Sequence, residues 1–195
     1  MNQFKAIPSD HMSPELGTEN TQQEFSHASW HAPATAVFDD FRQHEPVIVD
    51  ADTSLAKTES LLHKSGQRYA CVSNTKGNII GFVALREFYG RRAMQLALQA
   101  QIPRAEVSVS ALMVNLAQLP QIEYRLLNQA RIGDAAATLK TRGYDFLVIK
   151  EGEILRGVIS SLRIAEVTGE SVNIYHSAST FAEIMTAVSH GELMD

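Results

Sequence analysis

Two stretches of the chain place residues able to hold a ligand at matching points. One is GNIIGFVALREF (77–88) and the other is GEILRGVISSLRI (152–164). Their inner glycines, Gly81 and Gly157, lie 76 positions apart. Each stretch reads as a strand running into a helix start. A helix start presents free amide N–H groups that favour an anion. At that junction the first copy carries Ala84, Arg86 and Glu87, and the second carries Ser160, Ser161 and Arg163. Glu87 is an acceptor-only carboxylate, Ser160 and Ser161 are hydroxyls, and Arg163 has five donors and no acceptor. The second copy therefore suits a phosphate or carboxylate, and the first suits a group that donates hydrogen bonds.

Covalent catalysis has no comparable support. No nucleophile–histidine–acid grouping and no phosphate loop stands out. Of the seven histidines, four lie at or before His44. His27 and His31 are four apart, a spacing that suits a metal on one helical face, but no third ligand follows nearby. The reading is therefore of a non-enzyme without a metal. Cys71 is the one cysteine, so no intramolecular disulfide can form.

The elements around the two stretches repeat as well. PVIVD (46–50) reads as a strand. TSLAKTESLLHKSG (53–66) reads as a helix capped by Thr53, with Leu55, Leu61 and Leu62 facing inward and Gly66 ending it. YACVSN and NIIGFVA read as strands around a turn, and LREFYGRRAMQLALQA has helical spacing. In the second half EYRLLN (123–128) takes the place of the first strand. RIGDAAATLKTRG (131–143) aligns without a gap on the first helix, with Ile132 under Leu55 and Gly143 under Gly66. DFLVIK, EILRGVIS and SLRIAEV complete the order. One such unit cannot cover both faces of its sheet, so two copies are expected to pack sheet to sheet about a pseudo-twofold axis, an α+β fold.

This duplicated β-α-β-β-α unit resembles a tandem pair of cystathionine-β-synthase (CBS) domains. VSVSALM (107–113) is similar to the lead-in of such domains, and AVFDDF (36–41) is a weaker counterpart ahead of the first copy. The resemblance implies a regulatory module that binds an adenosine ligand between the repeats, AMP, ADP or ATP, and acts on a separate effector protein. It also implies a homodimer built through the helices. The family signature, Gly-h-h-Thr/Ser-x-x-Asp, puts a hydroxyl on the phosphate and a carboxylate on the ribose. Neither copy keeps it whole: the first has Ala84 for the hydroxyl and Glu87 for the Asp, the second has Ser160 but Arg163 for the Asp. The expectation is one ligand per chain, with its ribose on Glu87 and its anionic end near Ser160, Arg163, Arg86 or Arg91. The alternative is a dimerisation module whose nucleotide sites have degenerated.

Composition agrees with a globular chain, at 45% hydrophobic and 20% charged residues. Residues 1–45 carry two basic and seven acidic side chains, so the remainder is balanced and nucleic acid is a poor partner. No apolar run is long enough for a membrane span and no secretory leader is visible, so the expected location is the cytoplasm. The expected division is a polar tail at 1–33 with Trp30 as a docking point, repeats at 34–103 and 104–170, and an amphipathic helix at 171–195. In that last segment Phe181, Ile184, Met185 and Val188 form one stripe behind a Thr180/Glu183 capping pattern.

Overall fold

The structure is a computed structural model that describes residues 27–172 of the 195. The elements in chain order are β1 (Phe38–Asp40), β2 (Ile48–Asp50), α1 (Leu55–Ser65), β3 (Tyr69–Ser73), β4 (Ile79–Ala84) and α2 (Arg91–Ala100). There follow α3 (Val109–Leu112), β5 (Val114–Asn115), β6 (Gln121–Glu123), α4 (Tyr124–Leu127), α5 (Ile132–Arg142), β7 (Phe146–Glu151), β8 (Ile154–Ser160) and α6 (Ser161–Thr168). The α+β duplication is thus observed, with β2-α1-β3-β4-α2 answered by β6-α5-β7-β8-α6.

Local sequence explains the helix limits. Ser54, rather than Thr53, caps α1: its hydroxyl accepts from the Lys57 amide at 3.3 Å. Gly66 and Gly143 end α1 and α5 in left-handed conformation, at φ 69° and 70°. Leu55, Thr58 and Leu62 form the buried stripe of α1 at helical spacing, which leaves Leu61 on the exposed flank. The strand expected over EYRLLN stops at Glu123, and Tyr124–Leu127 form one helical turn. The reason lies in the partner strand. β6 pairs in parallel with β7 only as far as Glu123 opposite Lys150, and β7 turns back just beyond, at Gly152. No ladder is left for residues 124–128.

The two sheets each have four strands, ordered β1-β8-β7-β6 and β2-β3-β4-β5. Each takes its outer strand from the lead-in of the other repeat. β1, ahead of the first repeat, runs antiparallel to β8, and β5, ahead of the second, runs antiparallel to β4. A division at 103/104 therefore separates the repeats along the chain but not in the sheets. Both crossings pass an inner glycine of the repeated motif. A Cβ on Gly81 would stand 2.5 Å from the Val114 carbonyl oxygen, and one on Gly157 would stand 2.0 Å from that of Asp39. Neither distance is tolerable for a carbon atom, so the close approach of the exchanged strand demands glycine at both.

Three clusters make the core. One lies between α1, α2 and the β2-β3-β4-β5 sheet, and one between α5, α6 and the β1-β8-β7-β6 sheet. The third lies between the sheets, where Cys71 and Phe82 meet Phe146, Val148 and Val158. Phe82 and Phe146 stack at 5.5 Å, and the ring of Tyr69 meets both edge-on. Residues 27–33, expected in the tail, are bound to the second repeat. The Ala28 amide donates to Val167 O at 2.9 Å, the Gly133 amide to Trp30 O at 3.0 Å, and Trp30 packs on the second cluster. Trp30 does dock as expected. The rest of the expected tail, and the expected C-terminal helix beyond Val172, lie outside the described residues. No helix among the described residues is long and apolar enough to cross a membrane.

Gly157→Ala tests the strand exchange. The added methyl must push β1 away, so a loss of about 1–3 kcal/mol is expected in urea unfolding. Alanine at the exposed turn glycine Gly77 meets no atom within 4 Å but sits at φ 79°, so its smaller cost measures backbone strain alone.

Candidate functional site

Face-to-face packing of the sheets brings the start of β3 close to the end of β8. The groove between them holds two adjoining cavities of about 360 Å³ and 370 Å³, a size suited to a small organic ligand. They share Arg68, Tyr69, Ser160, Leu162 and Glu166, so they form one inter-repeat cleft.

The cavity of about 370 Å³ brings together four residues singled out in the sequence: Ala84, Arg86, Ser160 and Ser161. The cavity of about 360 Å³ contains Arg163 and Ser160. Glu87 lines neither. Its side chain is 41% exposed and its carboxylate pairs with the Arg86 guanidinium, Nε to Oε1 at 3.3 Å. Glu87, for which the ribose role was expected, thus stands outside the lining of both cavities.

Each remaining polar side chain is positioned by a hydrogen bond or an ion pair. Ser160 caps α6, its hydroxyl accepting from the Arg163 amide at 3.1 Å. Ser161 donates to Asp145 Oδ1 at 2.6 Å, and Asp145 also forms an ion pair with Arg86. This Ser161–Asp145–Arg86 chain ties the second repeat to the first within the lining of the cleft. Arg163 pairs with Glu166 one turn along α6, at 3.3 Å.

Residues that were not singled out also enter the site, among them Asp39, His44, Arg68 and Tyr69. Asp39 comes from the exchanged strand β1 and accepts from the Tyr69 hydroxyl at 3.1 Å. Burial pushes its carboxyl above the ordinary carboxylate range, against the opposing pull of Tyr69 and of the Arg163 charge. Burial, and then the Asp39 charge, push the Tyr69 phenol up. The signal for Asp39 was present in AVFDDF, but only the exchange of β1 carries it to the second repeat. Two neighbouring features offer no chemistry. Burial pushes the Cys71 thiol up to about 12, so it is unreactive in the inter-sheet core. No group of three or more His, Cys, Asp or Glu side chains suited to a metal occurs among the described residues.

The cleft thus has apolar walls from Leu85, Phe146 and Leu162. Around them stand three arginines, Arg68, Arg86 and Arg163, and the start of α6. It can enclose a flat apolar group and hold an anion beside it.

Comparison with known proteins agrees on the fold. An uncharacterised conserved protein from Pyrococcus horikoshii matches with a TM-score of 0.53 and 15% identity, over 76% of this chain and 100% of its own. A conserved CBS-domain protein of unknown function from Thermoplasma acidophilum matches at 0.48 and 13%, over 81% of this chain and 79% of its own. A CBS-domain-containing protein from Agrobacterium tumefaciens matches at 0.48 and 18%, over 68% and 93%. No protein-family model and no curated protein matches the chain.

The Asp39 carboxyl gives a pH-dependent expectation. Its raised value means that the folded chain holds the proton more tightly than the unfolded chain, whose value is about 3.9. Stability should therefore fall as pH rises from about 4 through the raised value. Asp39→Asn removes that loss and keeps an acceptor for Tyr69. At pH 7 the variant should exceed the parent by under about 1 kcal/mol, since water screens the partly exposed group. Unfolding in urea at several pH values measures the gap, which should shrink on acidification; a gap independent of pH would contradict the assignment.

Proposed function

We propose that this chain, folded as a tandem CBS pair, is a regulatory module that binds an adenine nucleotide in the inter-repeat cleft and acts on a separate effector protein. The observation that carries this reading is the cleft itself. Its walls come from both repeats, so a ligand there bears on how the two sheets sit together. Leu85, Leu162 and Phe146 suit a base. Arg68, Arg86 and Arg163 suit phosphates and disfavour a cationic ligand such as S-adenosylmethionine. Arg86 is shared: a phosphate drawing on its guanidinium competes with Asp145 for it. Occupancy is thereby coupled to the tie between the repeats, which is the change an effector protein would sense.

The second reading is a homodimeric assembly module, and a specific surface favours it. Ala93 and Ala97 turn α2 inward, while Met94 at 50% and Leu98 at 74% exposure stand outward one turn apart. Such a face suits a helical interface with a second copy. The two readings are compatible, since the cleft and this face involve different residues.

A thermal-shift series with AMP, ADP, ATP and S-adenosylmethionine tests the first reading. A ligand selective for the folded state adds about 2.7 kcal/mol at a hundredfold excess over Kd. The phosphorylated compounds should raise the midpoint and S-adenosylmethionine should not. No shift with any nucleotide would leave the assembly reading alone. For that reading, sedimentation should give twice the chain mass of 21.5 kDa, and Leu98→Glu should halve it.

A further inference from the structure

We infer that Asp39, delivered by the exchanged strand β1, is the residue that accepts the ribose diol, in place of the carboxylate that Arg163 cannot supply. This rests on the nucleotide reading above and specifies its chemistry. A ribose cis-diol presents two hydroxyl donors, and a carboxylate with two oxygens on one carbon is the side chain that receives both. The cleft must therefore contain a carboxylate that is fixed in position, partly desolvated and not already neutralised by a cation.

Five carboxylates lie in or beside the cleft, and four fail these conditions. Glu87 lines neither cavity and is paired with Arg86. Asp145 is committed to Ser161 and Arg86. Glu166 is half exposed and paired with Arg163. Glu45 lies on the loop before β2. Asp39 meets all three conditions. β1 fixes its backbone through pairing of Asp39 with Val158. The Tyr69 hydroxyl fixes its side chain at 3.1 Å by donating to Oδ2. Burial removes much of its water, and no ion pair is formed by it among the described residues.

Its neighbours complete the fit. Arg68, His44 and Arg163 line the same cavity, so an anionic group can be held beside a diol bound at Asp39. Pro46 and Gly66 line it too. The second repeat, whose signature lost its own acceptor, thus regains one from a strand that precedes the first repeat in sequence. The ligand class is a ribonucleotide with a free 2′-hydroxyl, and the preferred half of the cleft is the second repeat's.

Titration calorimetry with ATP and 2′-deoxy-ATP, on the full chain, tests this. The parent should bind ATP about tenfold more tightly than 2′-deoxy-ATP, the scale of one buried polar group left unpaired. Asp39→Asn retains the size and the acceptor for Tyr69, so it should fold. It should weaken ATP about tenfold and bind the two nucleotides equally. Glu87→Gln should keep the parent's preference. A parent that binds both nucleotides equally would overturn this inference and leave the nucleotide reading standing, as would a preference that survives in Asp39→Asn. A parent that binds neither would overturn both.

Discussion

The close passage of each lead-in strand over the other repeat's glycine is the contact on which the rest of the molecule depends. Gly81 and Gly157 occupy matching points of β4 and β8, and a side chain at either would strike the backbone of β5 or β1. Because the exchange is mutual, neither sheet has its four strands without the other repeat. The repeated GFVA and GVIS segments are thus explained by backbone proximity, and a ligand need not be invoked for their glycines. The three core clusters follow from this arrangement, with Phe82 on Phe146 setting the separation between the sheets.

The cleft is a consequence of the same exchange. Its walls come from β1, from the start of β3, and from the junction of β8 with α6. Those segments are remote in sequence and meet because β1 pairs with β8 while β3 belongs to the facing sheet. The Arg86–Asp145 pair joins the two repeats in the lining of the cleft, so ionic and apolar contacts between the repeats converge on one place. A module that senses a ligand between two halves needs this convergence, since binding can only shift an arrangement with which it shares contacts.

The parts of the fold governed by local chemistry were legible in the sequence. Gly66 and Gly143 ended their helices, the gap-free alignment of α1 with α5 held, and the two strand–turn–strand units fell where alternation and turn residues put them. What was not legible depended on partners distant in sequence. EYRLLN reads as a strand until one knows that β7 turns back at Gly152 and leaves it no ladder. Leu61 reads as apolar and inward until its flank position on α1 is seen. At the candidate site, Ala84, Arg86, Ser160 and Ser161 were found from the motif because strand ends carry them together. Asp39 was not singled out because only strand exchange carries it to the cavity lined by the second repeat, and the motif position of Glu87 does not reveal that it lines neither cavity.

The most direct test of this account is a nuclear magnetic resonance titration of the full chain with ATP, following backbone amides. The account predicts shifts concentrated at Asp39, Tyr69, Ser160 and Arg163, on segments that only strand exchange brings together, with α1 and α5 little changed. Shifts confined to the Glu87 turn, or scattered over the surface with none at Asp39 and Ser160, would contradict it.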